Sequence, residues 1–165
     1  MADFSAFTPP ERALLDALNR KQVRFMIVGL SAAVLQRANT ATRAIDIWFE
    51  DVSDPRIGEA VREANGIWVS GTFGMRPPQI GGDELGDRLD VVTHMHGLGK
   101  FADEFVNTSL ITVDELPLRI LNLERILVSK RAAGRTKDLA AIPALEEALA
   151  ALDLPPPRID PRPRG

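Results

Sequence analysis

Apolar positions recur at helical spacing near both ends of the chain and fall in short, strand-like runs between them. "TPPERALLDALNRKQ" predicts a first helix over 8–21. Thr8 can cap it, Pro9 suits its first turn, Glu11 can complete a capping box, and Ala13, Leu14, Ala17 and Leu18 form its apolar stripe. "VRFMIV" reads as a buried strand that Gly29 breaks before the helix "LSAAVLQRA". In "RAIDIWFE" the pattern has period two. Ile45, Ile47 and Phe49 share one strand face, and Ala44, Asp46, Trp48 and Glu50 share the other. "DPRIGEAVREAN" is a helix with Asp54 as cap and Pro55 in its first turn.

Farther on, "GIWVSGTF" reads as a strand, "GMRPPQIGGDELGD" as a loop, and "RLDVVTHM" as a strand. "GLGKFADEFVN" predicts a short helix, and "SLITVDELPLRIL" one or two strands around Pro117. Asn122 can cap "LERILVSKRAA", which Gly134 ends; "KDLAAIPALEEALAAL" is helical, stepped or kinked at Pro143. This order predicts an α/β (α+β) fold, a mixed sheet backed by helices with a helical C-terminal extension. The division is one domain over 1–153, with a core over 23–121 and C-terminal helices over 122–153, followed by a flexible Pro/Arg-rich tail over 154–165.

Composition narrows the chemistry. The 165 residues contain no cysteine, which excludes disulfides, thiolate zinc sites and a cysteine nucleophile. A formal net charge of −3 gives no general pull toward nucleic acid. Bases nevertheless exceed acids from Arg119 to Arg135, and Arg158, Arg162 and Arg164 follow in the tail. No apolar run is long enough to span a bilayer and no secretory signal pattern opens the chain, so a cytoplasmic location without membrane partners is expected.

Two features carry candidate chemistry. A strand, Gly29 and a new helix offer free N–H groups to an anion, with the Ser31 hydroxyl beside them, although a plain strand-to-helix turn is the ordinary meaning of such a Gly. Asp46 and Asp90 each sit within an otherwise apolar strand. On neighbouring strands they would flank one divalent cation; apart, they are ordinary solvent-side acids. His94 and His96 follow Asp90. If the strand continues, His94 shares the Asp90 face and could replace a lost ligand, though a polar strand end is its ordinary meaning. Trp48 offers either a base-stacking face or core packing. "GGDELGD" lacks calcium-loop spacing and reads as a turn.

From about Val23 to Leu152 the chain resembles the nucleotidyltransferase superfamily, with the DNA polymerase β-like fold, and within it the small bacterial members related to AbiEii-type toxins. The resemblance rests on "IVGLSAAVLQRANTATRAIDIW", on "RLDVV", and most specifically on "LNLERILVSKRAAGRTKDLAAIPAL". It implies Mg2+ or Mn2+ on the catalytic acids Asp46 and Asp90. It also implies a nucleoside triphosphate held by Gly29, Ser31, Lys130, Arg135, Lys137 and Asp138, and RNA, a protein or a small molecule as acceptor. Two residues depart from the pattern. Leu30 stands where the family has Gly or Ser, and Ala44 where it has the first metal-binding Asp. Losing that carboxylate weakens the metal that drives attack. Two readings follow, an enzyme with an altered metal site or a non-catalytic nucleotide- or RNA-binding module. A toxin–antitoxin role rests on the family likeness alone.

Overall fold

A computed structural model describes residues 6–71 and 76–152. The expected strand end at Thr72 and Phe73, the loop start at Gly74 and Met75, and the tail over 154–165 lie outside these residues. The elements in chain order are α1 (Pro9–Arg20), β1 (Phe25–Val28), α2 (Gly29–Leu35), β2 (Ile45–Phe49), α3 (Pro55–Glu63), β3 (Ile67–Val69), β4 (Gln79–Gly81), β5 (Leu89–Val92), α4 (Phe101–Phe105), β6 (Thr108–Val113), β7 (Leu116–Leu121), α5 (Leu123–Ala133) and α6 (Thr136–Leu152). Among the described residues, no helix is long and apolar enough to cross a membrane.

Five strands form one sheet in the order β5-β2-β1-β7-β6. β1 runs antiparallel to β2 and parallel to β7, β2 runs parallel to β5, and β6 and β7 form an antiparallel hairpin. The mixed sheet backed by helices is the architecture the pattern predicts. Every residue of β1 is buried, as its unbroken apolar run requires for a central strand. α1 packs against α3, while α2 packs on α5, which carries α6.

The helix ends follow the capping chemistry. Glu11 N–H donates to the Thr8 hydroxyl and Thr8 N–H donates to the Glu11 carboxylate. Asp54 caps α3 through Arg56 N–H at 2.9 Å. Gly134 ends α5 with φ 63°, the left-handed conformation that costs glycine least. Asn122 occupies the cap position of α5, but its side chain makes no cap bond and accepts from the Ser109 hydroxyl at 2.6 Å instead.

Several expectations are corrected. The stretch read as a loop contains β4, paired with β3 in a small second sheet, with Ile80 buried as its anchor. Pro77 and Pro78 hold the approach extended, which suits a short strand as well as a loop. β2 begins at Ile45, so Ala44 lies in the bend just before the strand rather than within it. β5 ends at Val92, so His94 has left the strand whose face it was expected to share with Asp90. α6 is one element with Pro143 inside it.

Candidate functional site

β1, β2 and β5 lie side by side, and their register builds the site. Val28 opposes Asp46 across the antiparallel pair, and Asp46 opposes Asp90 across the parallel pair. Paired residues on adjacent strands project from one face with backbones about 4.8 Å apart. The two acids are therefore neighbours although far apart in sequence. Asp46 is half-buried and Asp90 is exposed.

Gly29 turns the chain out of β1 with φ 63°. A Cβ at this position would lie 2.6 Å from Asp46 Oδ2. The glycine thus serves the turn and also leaves room for the carboxylate. Ser31 departs from its expected role. It is buried and points inward, its hydroxyl donating to Val28 O at 2.8 Å and accepting from Asp46 N–H at 3.0 Å. A hydroxyl has one proton, and Asp46 Oδ2 lies farther off, at 3.4 Å. Ser31 therefore fixes the start of β2 instead of facing an anion. Burial, and then the charge of Asp90, push the Asp46 carboxyl up to about 6, while Lys130 and Ser31 pull in the opposite direction.

The cationic side comes from the α5–α6 junction. Lys130 lies in the last turn of α5, Gly134 reverses the chain, and Arg135 precedes α6. Asp138 is almost fully buried and ties the corner together. It accepts from Lys130 Nζ at 3.1 Å, from Arg135 Nε at 2.6 Å and Nη2 at 3.3 Å, and from Arg135 N–H at 3.2 Å. Hydrogen bonds from Arg135 foremost, and from Lys130, hold its carboxyl down to about 2. Buried in this way, Asp138 orients the two cations at the wall of the cleft. Lys137 makes no ion pair within 4 Å among the described residues.

These pieces converge on a cleft of about 290 Å3, lined by Gly29, Asp46, His94, His96, Ser129, Lys130, Arg135, Lys137 and Asp138, among others. Asp90 does not line it; this acid opens on an adjoining hollow of about 340 Å3 walled by Pro77, Pro78 and Gly86. His94 borders both the cleft and a larger cavity of about 500 Å3, whose lining includes Glu50, Asp51, Lys100 and Phe101. Ser129 and His96 were not legible as cleft residues. Ser129 precedes Lys130 in an ordinary helix, and nothing in its own sequence marks it as facing the cleft. Trp48 is core, packed edge-on against Phe101 at 5.9 Å between centroids, and it contributes to the lining of the larger cavity.

The donor set bears on metal binding. Among the described residues, no group of three or more His, Asp or Glu side chains converges as a metal site. The Asp46–Asp90 pair fits one hard cation that takes its remaining ligands from water or phosphate, and such a cation would relieve the repulsion felt by Asp46. A site for two metals lacks its third carboxylate.

No protein-family model and no curated protein sequence matches the chain. Solved structures do. The antibiotic-resistance factor ANT(2'')-Ia in solution superposes with a TM-score of 0.58 at 17% identity, over 87% of this chain and 84% of that one. A crystal structure of ANT(2")-Ia in complex with adenylyl-2"-tobramycin gives 0.57 at 16%, over 86% and 88%. An antigenic nucleotidyltransferase-like protein from Paracoccidioides brasiliensis gives 0.51 at 15%, over 92% and 89%. At these identities the likeness establishes the fold, and that fold is the one found in nucleotidyltransferases.

Proposed function

We propose that this chain binds a nucleoside triphosphate in the cleft between Asp46 and Lys130 and transfers its nucleoside monophosphate to a hydroxyl. The observation that carries the reading is the opposition of two walls across one cleft. Asp46 stands on one side, with Asp90 its neighbour on the adjacent strand just outside the cleft, and cations aimed by a buried Asp138 stand on the other. Phosphoryl-type transfer depends chiefly on positioning and charge neutralisation, and this arrangement supplies both.

Asp46 and Asp90 are the residues that would hold Mg2+ or Mn2+, which supplies neutralisation of phosphate charge. Lys130, Arg135 and Lys137 bind the triphosphate oxygens, Arg135 as a fork and the lysines as point charges. Gly29 lets the backbone approach the phosphates. In transfer, the acceptor oxygen bonds to the α-phosphorus, the bond to the bridging oxygen breaks, and pyrophosphate leaves. Asp90, exposed beside Asp46, takes the hydroxyl proton. The 500 Å3 cavity that meets the cleft at His94 offers space for the acceptor, whether a small molecule or a terminal group of RNA or protein.

A second reading, a nucleotide- or RNA-binding module without chemistry, is favoured by Ala44 and by the absence of a third converging acid among the described residues. A toxin–antitoxin role rests on the resemblance to AbiEii-type proteins. Incubation with each labelled triphosphate, Mg2+ or Mn2+ and total RNA separates the readings. Label transferred to RNA or protein supports the enzyme, and saturable binding without transfer supports the module. If triphosphate neither binds nor reacts, both fail.

A further inference from the structure

We propose that His94 stands where the two substrates meet and donates a hydrogen bond to a non-bridging oxygen of the reacting α-phosphate. The inference rests on the reading of the cleft as a triphosphate site and of the 500 Å3 cavity as the acceptor's. His94 lines both spaces, and no other lining residue does. Asp46, Lys130, Arg135 and Lys137 line the cleft alone, and Asp90 lines neither. The acceptor oxygen must reach the α-phosphorus before a bond can form. The reacting phosphorus therefore sits at the junction of the two spaces, beside His94.

The local chain keeps the imidazole at that junction. β5 ends at Val92, and the segment over 93–100 crosses from the sheet to α4. At Gly97 it passes so close to α5 that a Cβ would lie 2.6 Å from that of Ala132. Leu98 N–H donates to Met95 O at 3.2 Å. Gly99 N–H donates to the buried Glu104 carboxylate at 2.9 Å, and Arg125 of α5 donates to the same carboxylate at 2.8 and 2.9 Å. The segment is thus fastened to the helix that carries Lys130. The His96 ring stands 5.7 Å from that of His94, nearly perpendicular to it. His94 itself is exposed, so its ring is open to a substrate.

The chemistry asks little of the side chain. A neutral imidazole already carries one N–H donor, so the bond needs no change of charge. Charge in phosphoryl-type transfer spreads over the equatorial oxygens of the transferred group, and a fixed donor there favours the transition state. Sites with two metals clamp both the attacking and the leaving oxygen. Here two acids suit one cation, and His94 supplies a donor from the acceptor side. No proton is handed over in this contact; the hydroxyl proton still goes to Asp90.

Two measurements on the full chain test the assignment, with His94→Ala, His94→Gln and His96→Ala. The first is label transfer from α-labelled triphosphate with Mg2+ and total RNA. His94→Ala should slow it on the order of a hundredfold while triphosphate affinity, by equilibrium dialysis, stays nearly unchanged. His94→Gln keeps an N–H donor and should recover much of the loss, and His96→Ala should cost far less. The second measurement needs no transfer. It records the 31P resonances of a bound triphosphate analogue with a methylene bridge between the α- and β-phosphorus, with Mg2+ present. His94→Ala should shift the α resonance and leave the γ resonance in place. Far-UV circular dichroism confirms that each variant is folded. A wild-type chain that binds no triphosphate removes the reading of the cleft, and this assignment with it. A bound analogue whose α resonance ignores His94→Ala overturns this assignment alone. So does transfer at the wild-type rate in His94→Ala. A loss of Mg2+ affinity in that variant, by calorimetry, would make His94 a metal ligand and likewise overturns it.

Discussion

Gly29 and Asp46 meet across β1 and β2 so closely that a methyl group on the glycine would overlap a carboxylate oxygen, at 2.6 Å. Gly29→Ala therefore carries two penalties. The left-handed φ of 63° costs an L-residue about 1–2 kcal/mol, and the new Cβ must displace Asp46. The variant is expected to melt several degrees below wild type and to lose divalent-metal affinity, measured by calorimetric titration. An unchanged melting point would mean that the turn relaxes freely.

Ala44→Asp should strengthen divalent binding and create or raise nucleotidyl transfer by on the order of a hundredfold or more. Ala44 lies in the bend just ahead of β2, two residues before Asp46 and half-buried. A carboxylate there would join the Asp46–Asp90 pair and supply the missing third acid. Magnesium calorimetry and label transfer from triphosphate, made on folded protein, check it. A well-folded variant that binds metal no better than wild type would favour the binding module.

Burial, and then the charge of Asp90, push the Asp46 carboxyl of the folded protein up to about 6 from its ordinary value of 3.8. A raised carboxyl pKa means that the folded state resists ionisation. The cost is fully present above pH 6 and disappears as the pH falls from 6 toward 4. Asp46→Asn should thus raise stability above pH 6, by about 3 kcal/mol at most, and the gain should vanish near pH 4. Urea denaturation of both proteins at several pH values tests this.

Asp138 has the opposite sign. Its carboxyl is held down to about 2, so its contribution is complete above pH 4 and is lost as the pH falls toward 2. Asp138→Ala leaves Lys130 partly buried without its partner and should cost about 3 kcal/mol. Arg135 and Lys130 would also lose their aim, so triphosphate affinity should fall with stability.

Lys137→Glu separates binding from folding. Lys137 lines the cleft but makes no ion pair among the described residues, so its reversal should change the stability by no more than about 0.5 kcal/mol. Triphosphate affinity should drop at least tenfold in equilibrium dialysis. Unchanged affinity would place the phosphates elsewhere.

Much of this arrangement is legible in the sequence because local rules carry it. Thr8, Asp54 and Gly134 announce helix ends through their own chemistry, and period-two alternation marks β2. The Asp46–Asp90 pairing was reachable only through the family likeness, since a strand's sequence does not state its neighbour. β4 reads as loop because its three residues follow two prolines and end in Gly81 beside Gly82; their strand character comes from β3. The inward turn of Ser31 was likewise hidden. One hydroxyl serves an anion or a backbone equally well until the distance to Val28 O is known.

The parallel pairing of β2 with β5 has a consequence for how the site comes into being. α3, β3 and β4 all lie between these strands in the chain, so Asp46 and Asp90 meet only after a long loop has closed. Such non-local pairings form late, since chain entropy is lost before the contact repays it. An unfolded or half-folded chain then offers a divalent ion two unconnected carboxylates. Any metal that binds the finished pair binds the native state alone, so it should leave the folding rate nearly untouched and slow unfolding in proportion to its occupancy.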